Sequence, residues 1–503
     1  MKLRVSHSGL CAPVLKRGAP IVLAAMLSAC VNYAGIHGDQ HIARGGQFET
    51  DRSLAGEQGH WPASDWVDQF GDAQLKALID EALKANPTIA QAQARIAEAN
   101  AFAQSSSADL MPRVNASYSL TREEFSGTAI VPPPARGQWR TENNGLLSAS
   151  YDLDLWGKNR EGWKAAVSEA KASEADAEIV KLTLSTSIAR AYNELARLYV
   201  LRDIAQHELD RRNQIDTITA GRIATGLDTQ VERKIAQANV AASGASLKAI
   251  DGNIVTTRYE LAALIGAGPD RGLSINPPAL GVGDDVHLPD NLPADLVSRR
   301  PDIVAARWRV DSLVHEVNKA KAEFYPDINL SVAAGFDAFG FGEFLNAASR
   351  TVAVGPAIHL PIFDAGALRA QLKGRYAEFD YAVATYNQTL IGALTAVATR
   401  LAQIRSSDAQ LVDAHVEQQK AQEADQIAIA QYKAGIANQL TVLNADVTVL
   451  NADQAVANLK MNRRDQQIAL ASALGGGYVD TSTDTLAPPD SAMQAHPPFV
   501  AAR

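Results

Sequence analysis

The chain has 503 residues, 47% of them hydrophobic and 20% charged, with a formal net charge of −9. That size supports a large core or several modules, and an acidic chain without basic, aromatic-rich stretches excludes a nucleic-acid partner. No run of eighteen apolar residues occurs, so no transmembrane helix is expected, although barrel strands would leave a weaker trace.

The amino terminus reads as an export signal. Lys16 and Arg17 precede a short apolar run, Ile21 to Leu27, that is too short to span a bilayer. The run ends in Leu27-Ser28-Ala29-Cys30, which resembles the bacterial lipobox, so cleavage before Cys30 and lipid attachment to its thiol are expected. The other cysteine, Cys11, falls in the removed segment, which leaves no internal disulfide. Val31 and Asn32 follow, and neither is the aspartate that marks retention at the inner membrane. His37 and His41 have helical metal spacing but lie in a Gly-rich stretch, so they read as solvated linker and no metal is expected.

Further along, the chain is written twice. Asn86-Pro87-Thr88-Ile89 corresponds to Arg300-Pro301-Asp302-Ile303, and Met111-Pro112-Arg113-Val114-Asn115 to Tyr325-Pro326-Asp327-Ile328-Asn329, both at a spacing of 214 positions. Gly226 corresponds to Gly435 at 209. A period of this length implies a duplicated module rather than a solenoid. Each copy opens with a helix, near 72–107 and 294–322, and continues through two alternating segments into a long helical stretch. No proline interrupts the chain between Pro134 and Pro269 or between Pro361 and Pro488. A helix of sixty-odd residues reaches about 90 Å, far beyond what a globular domain needs. Ile179, Leu182, Ile188, Tyr192, Leu195 and Leu198 recur at threes and fours among alanines, a pattern for coiled-coil packing.

Four alternating segments, near 113–122, 146–156, 327–337 and 351–363, predict strands with one apolar face each. Val114, Ala116, Tyr118 and Leu120 oppose polar residues in the first; Leu147, Ala149, Tyr151, Leu153 and Leu155 oppose Ser148, Ser150, Asp152 and Asp154 in the second. Ile328, Leu330, Val332 and Phe336, then Val352, Val354, Ile358 and Leu360, repeat the pattern. Such lengths suit tilted membrane strands, and Tyr151, Trp156, Phe324, Tyr325 and Phe363 lie near segment ends, as girdle aromatics do. Four strands cannot close a barrel, and lipid forbids an open edge. Closure therefore requires several chains, and three copies would give twelve strands around a polar lumen.

At this point the residues resemble the TolC/OprM-type outer-membrane factors, in particular the NodT-like efflux lipoproteins. Trp61, Trp66 and Phe70-Gly71-Asp72, then Asp152-Leu153-Asp154-Leu155-Trp156-Gly157-Lys158, Arg299-Arg300-Pro301-Asp302-Ile303 and Leu360-Pro361-Ile362-Phe363-Asp364-Ala365-Gly366 occur in that family's order. The resemblance implies a mainly α protein with membrane β: a homotrimer in which a twelve-strand barrel in the outer membrane continues into a long periplasmic α-helical coiled-coil barrel. It further implies a membrane-fusion adaptor and a proton-driven inner-membrane pump as partners, outer-membrane lipid around the barrel, and transport without cofactor or catalysis. The hairpin tips should lie near 221–232 and 432–441. The resemblance places Tyr432 and Glu232 at a periplasmic gate, as a tyrosine and its acidic hydrogen-bond partner. Thr441 and Asn444 fall where the family carries aperture aspartates, so the cation-binding ring is missing here; Ala437 replaces a basic gate residue, and Asp446 lies off the motif.

The expected organisation is a signal peptide over 1–29, a lipid-anchored linker over 30–60, repeats over 61–268 and 294–475 joined by a proline-rich linker at 269–293, and a disordered tail over 476–503. Competing readings are an outer-membrane factor for type I protein secretion and a non-channel periplasmic coiled-coil scaffold. No catalytic constellation appears; Gly266-Ala267-Gly268-Pro269-Asp270-Arg271-Gly272 resembles a dinucleotide loop only superficially, because no strand precedes it.

Overall fold

A computed structural model describes residues 32–480 apart from residues 129, 131, 132, 134, 282–285 and 291. The signal segment, Cys30 and residues 481–503 lie outside the described residues.

Two short helices lead in, α1 (Ala73–Ala85) and α2 (Pro87–Ala108). Asp72 and Asn86 cap them by accepting from the Gln74 and Thr88 amides. Pro87 and Pro301 both sit in the first helical turn, where a missing N–H costs nothing and the fixed φ suits the helix. This accounts for the paired Xaa-Pro signatures.

Strands β1 (Arg113–Glu124) and β2 (Trp139–Asp152) follow, then the helices α3 (Lys158–Ala224), α4 (Gln230–Ile265), α5 (Pro269–Leu273), α6 (Leu292–Arg299) and α7 (Pro301–Ala322). Strands β3 (Asp327–Phe339) and β4 (Arg350–His359) and the helices α8 (Ala367–Lys433) and α9 (Gln439–Ala473) complete the chain. Helices α3 and α8 are each 67 residues long, about 100 Å at 1.5 Å per residue. Their returns, α4 and α9, have 36 and 35 residues.

The passage from strand to long helix uses one device twice. Gly157 (φ 78°) and Gly366 (φ 90°) adopt left-handed backbone just before α3 and α8. The Asp154 carboxylate accepts from the Asn159 and Arg160 amides. Asp364 does the same for Gly366 and Leu368, bonds that hold its carboxyl below the usual carboxylate range. These caps also end the strands: β2 stops at Asp152 and β4 at His359, short of the expected 156 and 363. At its other end β2 begins at Trp139, seven residues before the predicted start, because a polar stretch from Arg140 to Asn144 extends the ladder beyond the alternating region.

The four strands form one antiparallel sheet in the order β1-β2-β3-β4. The register sets Ala116 against Leu147, Leu147 against Ala334, and Ala334 against Val352, so the four apolar faces become one continuous face. Asn115, Ser148, Ala333 and Ala353 line up on the other. The apolar face is bare: Val114, Val352, Val354 and Ile358 are 63–69% exposed. β1 and β4 are open edges.

The helical portion, by contrast, has packed apolar cores of its own. One apolar core joins Leu292 and Leu296 of α6, Val310 and Val317 of α7, and Leu372, Val383, Leu390 and Val397 of α8. A second joins Leu75 and Leu78 of α1, Ile188, Tyr192 and Leu195 of α3, and Leu261 and Ile265 of α4. The stretch expected as a solvated linker lies against α8. Asp380 accepts from the Asp39 and Gln40 amides, Asn387 brackets His41 and Ala43, and the Tyr33 hydroxyl meets that of Tyr325 at 3.1 Å. Residues 476–480, assigned above to the tail, are also packed: Tyr478 joins a core of α3 and α7, and Asp480 pairs with Arg307.

Candidate functional site at the hairpin tips

The two long hairpins turn where Gly226 (φ 74°) and Gly435 (φ 78°) take a backbone conformation that a side chain would strain. Thr229 then caps α4 and Asn438 caps α9. The turns fall within 221–232 and 432–441, as expected from the glycines.

Tyr432, in the last turn of α8, is fully buried. Its hydroxyl donates to Asp228 Oδ2 at 2.6 Å and lies 3.0 Å from Thr219 Oγ1 of α3. The Arg222 guanidinium covers the tyrosine ring at 4.3 Å, donates to the Tyr432 carbonyl at 2.7 Å, and holds Asp228 through both carboxylate oxygens at 2.8 and 3.1 Å. Gln439 adds a bridge from α9 to Thr219 and to the Glu232 carbonyl, each at 3.2 Å. Asp228 is held below the usual carboxylate range by Arg222, and burial raises the Tyr432 phenol. Together these bonds tie the end of one hairpin to the turn of the other.

The tyrosine therefore has an acidic partner, but it is Asp228. The Glu232 carboxylate is engaged locally, accepting from the Thr229 amide at 2.9 Å and from the Thr229 hydroxyl in a capping box. Those bonds lower its pKa. The latch expected between Glu232 and Tyr432 is not formed within the chain, because a helix N-cap claims the glutamate first. Thr441 and Asn444 both face outward on α9 with no acid between them; the Thr441 amide and hydroxyl bond to Asn438.

Further from the tips lies a buried ionic clasp that the sequence reading missed. Arg211 of α3 reaches Asp425 of α8 and Asp446 of α9 at 2.7 Å each. Arg212 reaches the other Asp446 oxygen at 2.7 Å and pairs with Glu208. Asp446 is wholly buried, and burial pushes its carboxyl up to about 7 against the pull of both arginines. The available signal was one acid on a helix face of Val442 and Val449, too little to name its partners 235 positions upstream. Asp228 was overlooked because an aspartate in a Gly-containing turn looks like a turn former.

Around the turns, large apolar side chains stand in the open. Leu227, Val231 and Ile235 on one hairpin and Ile436 and Leu440 on the other are all at least 44% exposed. Among the described residues no group of three or more His, Cys, Asp or Glu is placed to hold a metal ion, and no helix is long and apolar enough to cross a membrane.

Comparison with known proteins gives this architecture a context. The profile of the outer membrane efflux protein family matches residues 78–267 and 292–476. Fusaric acid resistance protein FusA of Burkholderia cepacia is 37% identical over 317 residues, which cover 62% of this chain and 59% of that protein. Multidrug resistance outer membrane protein MdtP of Escherichia coli (strain K12) is 32% identical over 432 residues, covering 83% of this chain and 87% of its own. Among solved structures, the outer membrane protein VceC of Vibrio cholerae superposes with a TM-score of 0.78 at 37% identity, over 83% of this chain and all of VceC. Taken with the four-stranded sheet and paired long hairpins, these matches identify the chain as a member of the outer membrane efflux protein family, an outer-membrane efflux channel.

Proposed function

We propose that three copies of this duplicated chain assemble into a passive duct that conducts small organic molecules from the periplasm to the exterior. The observation that carries this reading is the sheet, with a bare apolar face, a polar opposite face and two open edges. In lipid the edges must be satisfied, so β4 of one copy pairs with β1 of the next until the ring closes at twelve strands. The polar faces of Asn115, Ser148 and Ser331 then line the lumen.

The exposed apolar tips suit a periplasmic adaptor that links the duct to an inner-membrane pump, and the energy comes from that pump, of the proton-driven kind. Relatives named for multidrug and fusaric acid resistance support a cargo of amphipathic organic compounds. Tyr432 and Glu232 stand at the gate, with Asp228 as the tyrosine's acid, and Thr441 and Asn444 line the aperture. Lipid on Cys30 would tether the chain beside the barrel; Cys30→Ser should abolish fatty-acid labelling, and persistent labelling would refute the lipobox. The assembly is tested by the mass of the detergent-solubilised protein: three subunits are expected, and a stable monomer with an intact β signal overturns the reading.

A further inference from the structure

The periplasmic end of the sheet has its aromatic belt in place. Trp156 stacks on Tyr325 at 4.6 Å and Phe363 stands exposed at the same end, while Phe324 turns into the helical core with Tyr33 edge-on against it. All five aromatics singled out in the sequence sit at this helix-proximal end, including Tyr151 and Phe363. Membrane barrels carry a girdle at each interface, so the far end needs its own.

The segment between β3 and β4 helps to supply it. Tyr118, Gly145, Phe336 and Arg350 form one cross-strand row on the apolar face. Phe344, from the loop, lies over that row, with its ring centroid 5.7 Å from that of Tyr118 and 6.1 Å from that of Phe336. A Cβ at Gly145 would come within 2.8 Å of Phe344 Cζ, so the glycine is the socket that admits the ring. Asn143, two residues along β2 on the same face, is buried and accepts from the Tyr118 hydroxyl at 2.9 Å. The loop is thus folded down over the outer wall and not across the mouth of the pore. Gly340 N–H to the Thr141 carbonyl at 2.7 Å ties its start to β2, and Ser349 Oγ to the Glu343 carbonyl at 2.8 Å closes the loop on itself.

Beyond this anchor, Phe341 and Leu345 project with 73% and 74% of their surface exposed, and Phe341 stacks on Phe344 at 6.4 Å. Trp139 adds a further exposed ring at the same end of the apolar face. Height decides what covers them. From the Ile328–Ile358 row to the Phe336–Arg350 row is eight residues of strand, about 27 Å along the chain and roughly 20 Å of rise at barrel tilt. The row therefore lies near the top of an apolar band about 25 Å tall, and the loop sits at the outer-leaflet interface.

We propose that the β3–β4 loop is a lipid-binding element whose Phe341, Phe344 and Leu345 insert into the outer leaflet and extend the upper girdle that Tyr118, Trp139 and Phe336 begin on the strands. This rests on the barrel reading above. The test uses the full chain reconstituted in phospholipid vesicles, with a nitroxide on Leu345→Cys or Phe341→Cys. Val332→Cys in the band and Thr128→Cys in the β1–β2 loop serve as references; Cys30 is blocked by its lipid or replaced by serine. Oxygen, which concentrates in lipid, should relax the labels at 341 and 345 several-fold more effectively than a water-soluble nickel chelate, as at 332. A chelate response like that at 128 overturns the proposal while leaving the barrel intact. Protection from both reagents also overturns it, since a neighbouring protomer would then be the cover. Water exposure at 332 as well would remove the barrel reading and the proposal with it.

Discussion

The hairpin tips and the sheet satisfy their polar groups in opposite ways. Around Tyr432, Asp228, Arg222, Thr219 and Gln439 bond to one another within a single chain, and two to three helical turns deeper Arg211 and Arg212 pair with Asp425, Asp446 and Glu208. The sheet leaves two ladders of backbone groups unpaired and most of an apolar face uncovered. A polar network closed within one chain holds a conformation, and changing it requires bonds to break. A region that is incomplete specifies partners. Substitutions should therefore act at the tips through bond energies inside the chain, and in the sheet through assembly.

The largest effect should come from the clasp. Removing one member of a buried charge cluster strands the others, which costs about 3–5 kcal/mol, so Asp446→Ala should markedly lower the melting temperature followed by helical circular dichroism. Asp446→Asn separates charge from shape. Because burial raises the Asp446 pKa to about 7, the folded state binds a proton more tightly than the unfolded chain. That contribution is full below the ordinary aspartate range and is lost as pH rises through about 7. The wild-type melting temperature should decline across that interval, and Asp446→Asn should flatten the decline; an unchanged slope would mean that Asp446 is ionised throughout.

In the sheet the same chemistry should depend on face. Leu147 pairs with Ala116 and Ala334 in the middle of the apolar band, so Leu147→Arg should cost about 2–4 kcal/mol and reduce the yield of assembled protein on native gels. Its neighbour Ser148 lies on the opposite face, where Ser148→Arg should assemble normally and alter single-channel conductance. Equal losses from both would contradict the assignment of faces.

Legibility follows the same division. The sheet was readable because one rule, alternation with period two, is repeated by four segments, and each repetition supports the others. The long helices were readable from the missing prolines and the paired glycines at 226 and 435. What stayed hidden were specific pairs. Glu232 and Asp228 are four residues apart in one turn, and nothing in the chain says which of them meets a tyrosine 204 positions away from Asp228. Arg211 and Asp446 become neighbours only once α3 and α9 are packed side by side. The loop girdle escaped for another reason: Phe341, Phe344 and Leu345 follow no strand period, and their common face is created by the fold.

The next contrast separates the two acids at the tip. Asp228 holds Tyr432 through a hydrogen bond to a charged group, worth roughly 1.5–3 kcal/mol where water is excluded, and three symmetry copies would bias an open–closed equilibrium together. Tyr432→Phe or Asp228→Asn should raise single-channel conductance in planar bilayers at unchanged assembly. Glu232→Gln should shift conductance much less, since a glutamine at this position still completes the capping box. The reverse ranking would restore Glu232 as the latch.

The smallest structural effect with a clear functional readout belongs to Thr441 and Asn444. Both are exposed on α9, three residues apart and so on one face, and neither side chain contributes to a core. Thr441→Asp with Asn444→Asp should leave melting almost unchanged, because the Asn438 cap bonds the Thr441 amide, which any residue supplies. In a trimer the two substitutions place six carboxylates around one axis, and their mutual repulsion is relieved by a divalent cation. Block of conductance by divalent cations should therefore appear in the double variant, weaken as ionic strength rises, and be absent from the wild-type chain. Block that fails to appear would mean that this face of α9 does not line the aperture and that placing the aperture by matching Gly226 to Gly435 is wrong.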